Sequence, residues 1–257
     1  MKILPFLSKL FSKTSTFKVS RVPRHVAIIM DGNNRWAKHN KINPEQAYIK
    51  GGDIAWTISE VAADLDIEAL TLFTFSLENW KRSKEETRCI FKVIFYSLLK
   101  RIDKFNEYNT RLEFIGDLKQ LTDKEQDQVQ FLKDQTANNS GLRLILAISY
   151  SGQWDIVQAV NKIINKIHAG EASIPIRKED IEKQLALADV PPPDLIIRTG
   201  GDMRISNFLL WQIAYSELYF VPTLWPEFTP DQFIDIIENF TRRERRFGNH
   251  GLDDNNS

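Results

Sequence analysis

Six short apolar runs constrain the fold of this chain more than any other feature. They are His25–Met30 (HVAIIM), Ala69–Phe75 (ALTLFTF), Arg111–Ile115 (RLEFI), Leu142–Ile148 (LRLILAI), Asp194–Ile197 (DLII) and Glu217–Val221 (ELYFV). Most are continuous and do not alternate apolar with polar. A strand built this way must be covered on both faces, which is the situation inside a parallel sheet. Helical patterns lie between the runs, so the chain reads as α/β: a single domain with a central six-stranded, mostly parallel sheet surrounded by helices. The 257 residues suit one large domain, and no repeat, low-complexity tract or linker divides them. The domain is placed at residues 21–250, with an arm at 1–20 and a tail at 251–257 expected to be disordered.

The helices have legible starts and faces. Asn43-Pro44 is an N-cap followed by proline at the first helical position, and Ile54, Ile58, Val61 and Leu65 follow at helical spacing. Residues 84–105 form a second helix whose apolar side chains, from Ile90 to Phe105, exceed one stripe. Such a helix either sits in the core or lines an apolar pocket for a hydrocarbon. Further helices are predicted over 121–137, Trp154–Ile167, Asp180–Ala188 and Pro230–Phe240. Asn207–Tyr215 (NFLLWQIAY) is apolar nearly all round and is predicted to be a buried helix. Cys89 falls within the apolar helix and is expected in the core.

Open α/β sheets bind ligands at the carboxyl ends of their strands. The first run ends in Asp31-Gly32-Asn33-Asn34-Arg35-Trp36, the second in Ser76-Leu77-Glu78-Asn79-Trp80-Lys81-Arg82, and the fifth in Arg198-Thr199-Gly200-Gly201-Asp202-Met203-Arg204-Ile205-Ser206. Arg198 and Arg204 flank two glycines, and Ser206 stands before the predicted apolar helix. Glycines admit a ligand close to the backbone, a helix N-terminus offers free N–H groups, and guanidiniums grip oxyanions bidentately. Together they describe a phosphate or diphosphate site; a pair of surface salt bridges beside an ordinary turn is the plainer alternative. Gly32, Asn33 and Asn34 tolerate positive φ, and a helix should follow. An acid beside an anion site needs a bridging cation, usually Mg²⁺. Asp31 therefore reads either as that metal-linked acid or as a simple helix cap.

Composition excludes several classes. Lys+Arg and Asp+Glu each total 34, so no global field draws the chain to nucleic acid. One cysteine permits no internal disulfide and points to a reducing, cytoplasmic setting. The four histidines are scattered, and neither a P-loop nor a G-x-G-x-x-G motif is present. No apolar stretch reaches the roughly 18 residues that a bilayer demands. Residues 1–20 place Leu4, Leu7, Leu10 and Phe11 at helical spacing among lysines. That is an amphipathic arm, suited either to a membrane surface or to docking on its own domain.

At these motifs the chain resembles the cis-prenyltransferases. HVAIIMDGNNRWAK, FSLENWKR, SYSGQWDIV, IIRTGGDMRISNFLLWQIAYSELYF, LWPEF and RRERRFG carry the likeness, which runs from about residue 24 to 248. The resemblance implies a homodimer with a hydrophobic tunnel, and successive cis additions of isopentenyl diphosphate to farnesyl diphosphate with Mg²⁺. It implies that Asp31 is the essential acid and that Gly32, Asn33, Asn34, Arg35 and Trp36 hold the allylic diphosphate. It implies that Ser76, Asn79, Trp80 and Arg82 close over the reacting ends, Asn79 taking part in proton removal. Arg198, Arg204 and Ser206 match the isopentenyl diphosphate site, Glu217 an acid at the metal, and Arg246 and Gly248 a C-terminal motif that reaches the neighbouring subunit. Three departures stand out. Pro44 and Tyr48 occupy positions where the family has basic residues, Asn34 stands where glycine is common, and Asp202-Met203 replaces a Glu-His pair. A non-catalytic isoprenoid-binding relative and an aspartyl phosphotransferase are the alternatives. Retention of Asp31, Arg35, Arg198 and Arg204 favours the enzyme over the first, and the lack of a second acid in the Asp31 loop disfavours the other.

Overall fold

The computed structural model describes residues 22–242. The predicted arm at 1–20, the tail at 251–257, and Arg246 and Gly248 lie outside the described residues. All six predicted strands form: β1 His25–Ile29, β2 Ala69–Ser76, β3 Arg111–Ile115, β4 Arg143–Tyr150, β5 Leu195–Arg198 and β6 Glu217–Phe220. They pair in the order β3-β4-β2-β1-β5-β6, and every pairing is parallel. The sheet is thus wholly parallel, beyond the "mostly" of the expectation. Side chains of β1 alternate between two cores, as the two-residue period of a strand requires. Val26 and Ile28 join the larger core, while Ala27 and Ile29 join the smaller. Both faces are covered, and this is why the runs are continuously apolar.

Order along the sheet decides where a ligand can go. From β1 the chain moves outward to β2 in one direction and returns to β5 and β6 in the other. The carboxyl ends of β1 and β5 therefore border the crevice where strand order reverses, the usual ligand site of open α/β sheets. Register puts Ile29 beside Arg198 there.

Several helices start where capping chemistry dictates. α1 spans Asn33–Asn40 and α2 Pro44–Asp64; the Asn43 side chain accepts from Glu45 N at 2.9 Å. α3 is Lys84–Leu99, begun by Ser83. The predicted 84–105 helix breaks after Leu99, and a short α4 follows at Ile102–Glu107. At the break Arg101 leaves helical geometry with φ −111°, and its guanidinium turns back to Ser97 O and to Asp53. α5 (Asp123–Gln135), α6 (Gly152–His168), α7 (Lys178–Glu182) and α8 (Pro230–Thr241) complete the layers; α7 is shorter than predicted. Cys89 is only partly buried, contrary to expectation. Among the described residues no helix is long and apolar enough to cross a membrane.

One predicted helix does not form. Residues 206–215 are a succession of turns, with left-handed backbone at Ser206 (φ 49°), Asn207 (φ 61°) and Leu209 (φ 43°). Three such residues break any i→i−4 ladder. The segment is instead fastened to the start of α6: Gly152 N donates to Asn207 O at 2.6 Å and Gln153 N to its Oδ1 at 3.0 Å. Phe208 and Leu209 are fully buried, whereas Tyr215 is 81% exposed.

His25 opens β1 in full burial. Its Nδ1 donates to Pro191 O at 2.6 Å, so the neutral ring accepts from the Thr71 hydroxyl at Nε2, 2.8 Å away. Burial lowers its pKa to about 4, outweighing the Pro191 hydrogen bond and Asp194, which raise it. The unfolded chain binds this proton below about 6.5 and the folded chain only near 4, so stability drains away as pH falls between those values. Urea unfolding at pH 7 and pH 5 should show a loss that is about 2 kcal/mol smaller in His25→Gln than in the parent. Equal losses in both proteins would remove His25 from the acid response.

Candidate active site

Asp31 stands just past β1, on the crevice. Its backbone is pinned before its side chain acts: Asp31 N donates to Thr199 Oγ1 at 3.0 Å, and that hydroxyl donates back to Asp31 O at 2.8 Å. Gly32, not Asp31, is the N-cap of α1, and no side chain caps that helix. The simple-cap reading of Asp31 is thereby set aside. Gly32 has φ +118°, and a Cβ there would press on Leu224 at 2.9 Å, so only glycine suits the turn. Of the three residues that tolerate positive φ, Gly32 alone adopts it; Asn33 and Asn34 are the first helical residues of α1.

The Asp31 carboxylate lies between two arginines. Arg35 Nη2 reaches Oδ1 at 3.0 Å and Arg198 Nη2 reaches Oδ2 at 2.9 Å. Arg198 also donates to Ser206 Oγ at 2.8 Å, to Arg204 O and to Asp202 Oδ2 at 3.2 Å; Arg204 pairs with the same Asp202 oxygen at 2.6 Å. A chain of alternating charge results: Arg35, Asp31, Arg198, Asp202, Arg204. Three guanidiniums face two carboxylates, leaving one net positive charge. Burial works to raise the Asp31 pKa, but hydrogen bonds from Arg198 and Arg35 outweigh it and hold the carboxyl below its ordinary range. Asp31 is therefore an anion at any working pH. Arg198 is the fixed member, its side chain only 5% exposed, while Arg204 at 70% is free to follow a ligand. Gly200 carries φ +87° and accepts from Arg35 Nη1 at 2.6 Å; a Cβ there would collide with Arg35 Nη2. Glycine is favoured there by the left-handed φ and by the Asp31 backbone at 3.1 Å, and the Arg35 guanidinium fills the space a side chain would take.

Beneath this edge lies a cavity of about 660 Å³ between the sheet and α2–α3. Asp31, Asn33, Ser76, Asn79, Arg82, Arg198 and Ser206 line its mouth; Leu72, Leu146, Ala55, Ile90, Val93 and Ile94 form its walls; Trp56, Arg101, Phe105 and Leu144 lie at its far end. Leu144 pairs with Leu70, six positions before Ser76 on β2, so the cavity runs about 20 Å along the strands. Leu98 of α3 also borders the cavity, whereas Leu142, just before β4, is not among its lining residues.

The remaining predicted residues are distributed unevenly. Asn79 Oδ1 accepts from Ser76 N at 3.1 Å, closing a short turn at Leu77–Lys81. As a neutral amide it can orient a reacting group but has no basic site for a proton. Trp80 packs on Phe75 and Phe91 and donates to Ser149 Oγ at 3.0 Å, so it braces the turn from behind. Trp36 donates to Glu227 at 2.9 Å, away from the mouth, with Lys50 over its ring. Asn33 Oδ1 is buried with no partner among the described residues, close to where a Cβ on Gly51 would lie. Glu217 begins β6 in register with Leu195, three positions before the level of Arg198. It lies at the opposite edge of the sheet from Asp31, and one chain does not bring the two acids together.

Sequence reasoning missed three contributors. Thr199 was passed over inside its loop, because nothing marks a threonine as the one that locks Asp31. Glu86 follows Ser83 in an S-x-x-E pattern that reads as a helix start. Ser83 does cap α3, but the Glu86 side chain turns to Arg82, Tyr48 and Asn34 instead. Asp202 was noted only as a substitute acid, whereas it links Arg198 to Arg204.

A cationic head above a long apolar cavity defines a protein that takes an anionic group joined to a hydrocarbon. Comparison with known proteins places it further. Residues 29–248 match the prenyltransferase family model described as putative undecaprenyl diphosphate synthase, and the chain belongs to that family. It is 41% identical over 228 residues to the farnesyl-diphosphate-specific ditrans,polycis-undecaprenyl-diphosphate synthase of Coxiella burnetii, covering 88% of this chain and 96% of that one. It is 41% identical over 239 residues to an isoprenyl transferase of Neisseria meningitidis, covering 92% and 94%. Among solved structures, lavandulyl diphosphate synthase from Lavandula x intermedia, in complex with dimethylallyl diphosphate, superposes with a TM-score of 0.86 at 32% identity over 89% of this chain and 99% of that one. A probable undecaprenyl diphosphate synthase from Campylobacter jejuni gives 0.75 at 35% identity over 89% and 100%.

Proposed function

We propose that this protein condenses isopentenyl diphosphate units in cis onto farnesyl diphosphate to make a long-chain polyprenyl diphosphate of the undecaprenyl type, the lipid carrier of cell-wall synthesis. The observation that carries this reading is the Arg35–Asp31–Arg198 array at the strand-order reversal, set over the 20 Å cavity. The allylic diphosphate sits over the uncapped N-terminus of α1 with Arg35, and its hydrocarbon enters the cavity. Isopentenyl diphosphate is held by Arg198, Arg204 and Ser206. Ser76, Asn79 and Arg82 bring the reacting carbons together and exclude water.

Mg²⁺ fits this donor set in one way. Among the described residues no group of three or more His, Cys, Asp and Glu side chains gathers to hold a metal. Asp31 offers one carboxylate at the mouth, and Mg²⁺ characteristically binds through one or two carboxylates plus substrate phosphates. A metal carried on the diphosphate and steadied by Asp31 suits the site; when bound it neutralises charge on the departing group.

A homodimer is part of the same proposal. Met203 and Tyr215 are each 81% exposed and Leu218, on the edge strand β6, is 44% exposed. Exposed apolar side chains of this kind near the last strand of the sheet favour a second copy. We place the protein in the cytoplasm, with residues 1–20 in peripheral membrane contact.

Incubation with labelled isopentenyl diphosphate, farnesyl diphosphate and Mg²⁺ should give chain extension, the product sized by chromatography. Dimethylallyl diphosphate is the acceptor to run in parallel. Binding of both substrates without extension would convert the reading to a non-catalytic isoprenoid-binding protein. Within that assay Arg204→Ala is expected to raise the KM for isopentenyl diphosphate about tenfold, with the KM for farnesyl diphosphate little changed. An unchanged KM for isopentenyl diphosphate would separate Arg204 from that substrate.

A further inference from the structure

Glu86 Oε1 is a meeting point of three elements at the cavity mouth. Asn34 Nδ2 from α1 donates to it at 2.9 Å, the Tyr48 hydroxyl from α2 at 2.8 Å, and Arg82 Nη1, at the end of the Leu77–Lys81 turn, at 3.0 Å. The Tyr48 oxygen also lies 3.0 Å from Asn34 Oδ1 and 3.5 Å from Arg82 Nη1. Tyr48 and Arg82 both border the cavity. Nothing in the substrate array described above uses Glu86 or Tyr48, yet they join its parts: the helix beneath the allylic diphosphate and the turn that carries Asn79 and Arg82.

We propose that Tyr48 and Glu86 are positioning residues for the allylic diphosphate, clamping Arg82 and Asn34 at the mouth in the orientation that this substrate needs. The inference rests on the reading given under the proposed function. An isolated Arg82–Glu86 pair, with side chains 37% and 29% exposed, would hold its geometry weakly. A hydroxyl and an amide on the same carboxylate oxygen restrict Glu86 to one place, and Arg82 with it. The tyrosine suits this role because it is a neutral donor: it fixes the acid without competing with Arg82 for the diphosphate. Burial first, then Glu86, push the Tyr48 hydroxyl far above its usual range, so it stays a donor. Burial works to raise the Glu86 pKa, but Asn34, Tyr48 and Arg82 together draw it down, so the acid stays charged.

The test is Tyr48→Phe, which removes one oxygen and keeps the ring. Titration with farnesyl diphosphate alone, followed by tryptophan fluorescence, needs no turnover. It should show a Kd raised about fivefold to tenfold. In the extension assay the KM for farnesyl diphosphate should rise by a similar factor, with the KM for isopentenyl diphosphate within twofold of the parent. Glu86→Gln should weaken farnesyl diphosphate binding too, and the double variant should be no worse than the poorer single one, since both act through one contact. Equal shifts in both KM values, strictly multiplicative effects in the double variant, or a lowered melting temperature with farnesyl diphosphate affinity intact would each overturn the clamp. Absence of extension by the parent would instead count against the proposed function. The ratio of farnesyl diphosphate affinities would still decide the clamp, and a parent that does not bind farnesyl diphosphate would end it.

Discussion

Asp31→Ala is expected to reduce kcat about a thousandfold while leaving the fold intact. The carboxylate is the central member of the charge chain at the strand-order reversal, and both its oxygens are engaged. What holds the loop, however, is backbone: the Thr199 hydroxyl locks Asp31 N and O, and Trp225 N donates to Asp31 O at 3.0 Å. Alanine keeps all of these. The two arginines it leaves behind are not stranded, since Arg35 retains Gly200 O, and Arg198 retains Ser206 and Asp202. The array instead gains positive charge. Farnesyl diphosphate affinity should therefore hold or rise while turnover collapses, because on the proposed reading the lost carboxylate would serve the departing diphosphate and not the ground state. Far-ultraviolet circular dichroism and a melting temperature within about 3 °C of the parent would establish the fold. A kcat within tenfold of the parent would remove Asp31 from the chemistry.

The fold was legible because its dominant force writes directly into sequence. Burial on both faces demands unbroken apolar runs, and each of the six became a strand with ends within two residues of the reading. The site was legible as loops, since a parallel sheet gathers all strand ends on one edge. Failures arose where tertiary contacts override local pattern. NFLLWQIAY is helical by composition, yet Asn207 is drawn to the start of α6 and its backbone turns left-handed. Residues 84–105 look like one helix, and nothing local announces that Arg101 will leave the ladder to meet Ser97 and Asp53. For Glu217, expected at the metal, register sets its place on β6 three positions before the level of Arg198, a placement that the sequence does not encode. The Glu86 contacts joining α1, α2 and the Arg82 turn bring together residues up to 52 positions apart, a relation that no spacing rule encodes.

Arg198→Ala should be the most damaging single change to the site and to the fold around it. The guanidinium is nearly buried and separates two carboxylates, Asp31 and Asp202, while also holding Ser206 and the Arg204 carbonyl. Removing one partner of a buried pair typically costs about 3–5 kcal/mol. Here the acids are 28% and 35% exposed, so water recovers part of that, and about 2–3 kcal/mol is the expected loss. On the proposed reading, binding of isopentenyl diphosphate should fall beyond measurement, since the fixed cation proposed for its site is gone and the Ser206 turn is no longer tethered. Arg198→Lys divides the two effects. A lysine restores the charge between the acids but not the planar fork that serves four acceptors at once. Its melting temperature should return most of the way to the parent value, while its KM for isopentenyl diphosphate stays raised at least tenfold. Adding Asp202→Asn to Arg198→Ala should recover part of the lost stability, because it removes one of the two acids that shared Arg198; Arg35 and Arg204 stay on Asp31 and Asp202 and limit the gain. If Arg198→Ala melts with the parent and Asp202→Asn adds nothing, water screens the two acids and the arginine serves the ligand alone.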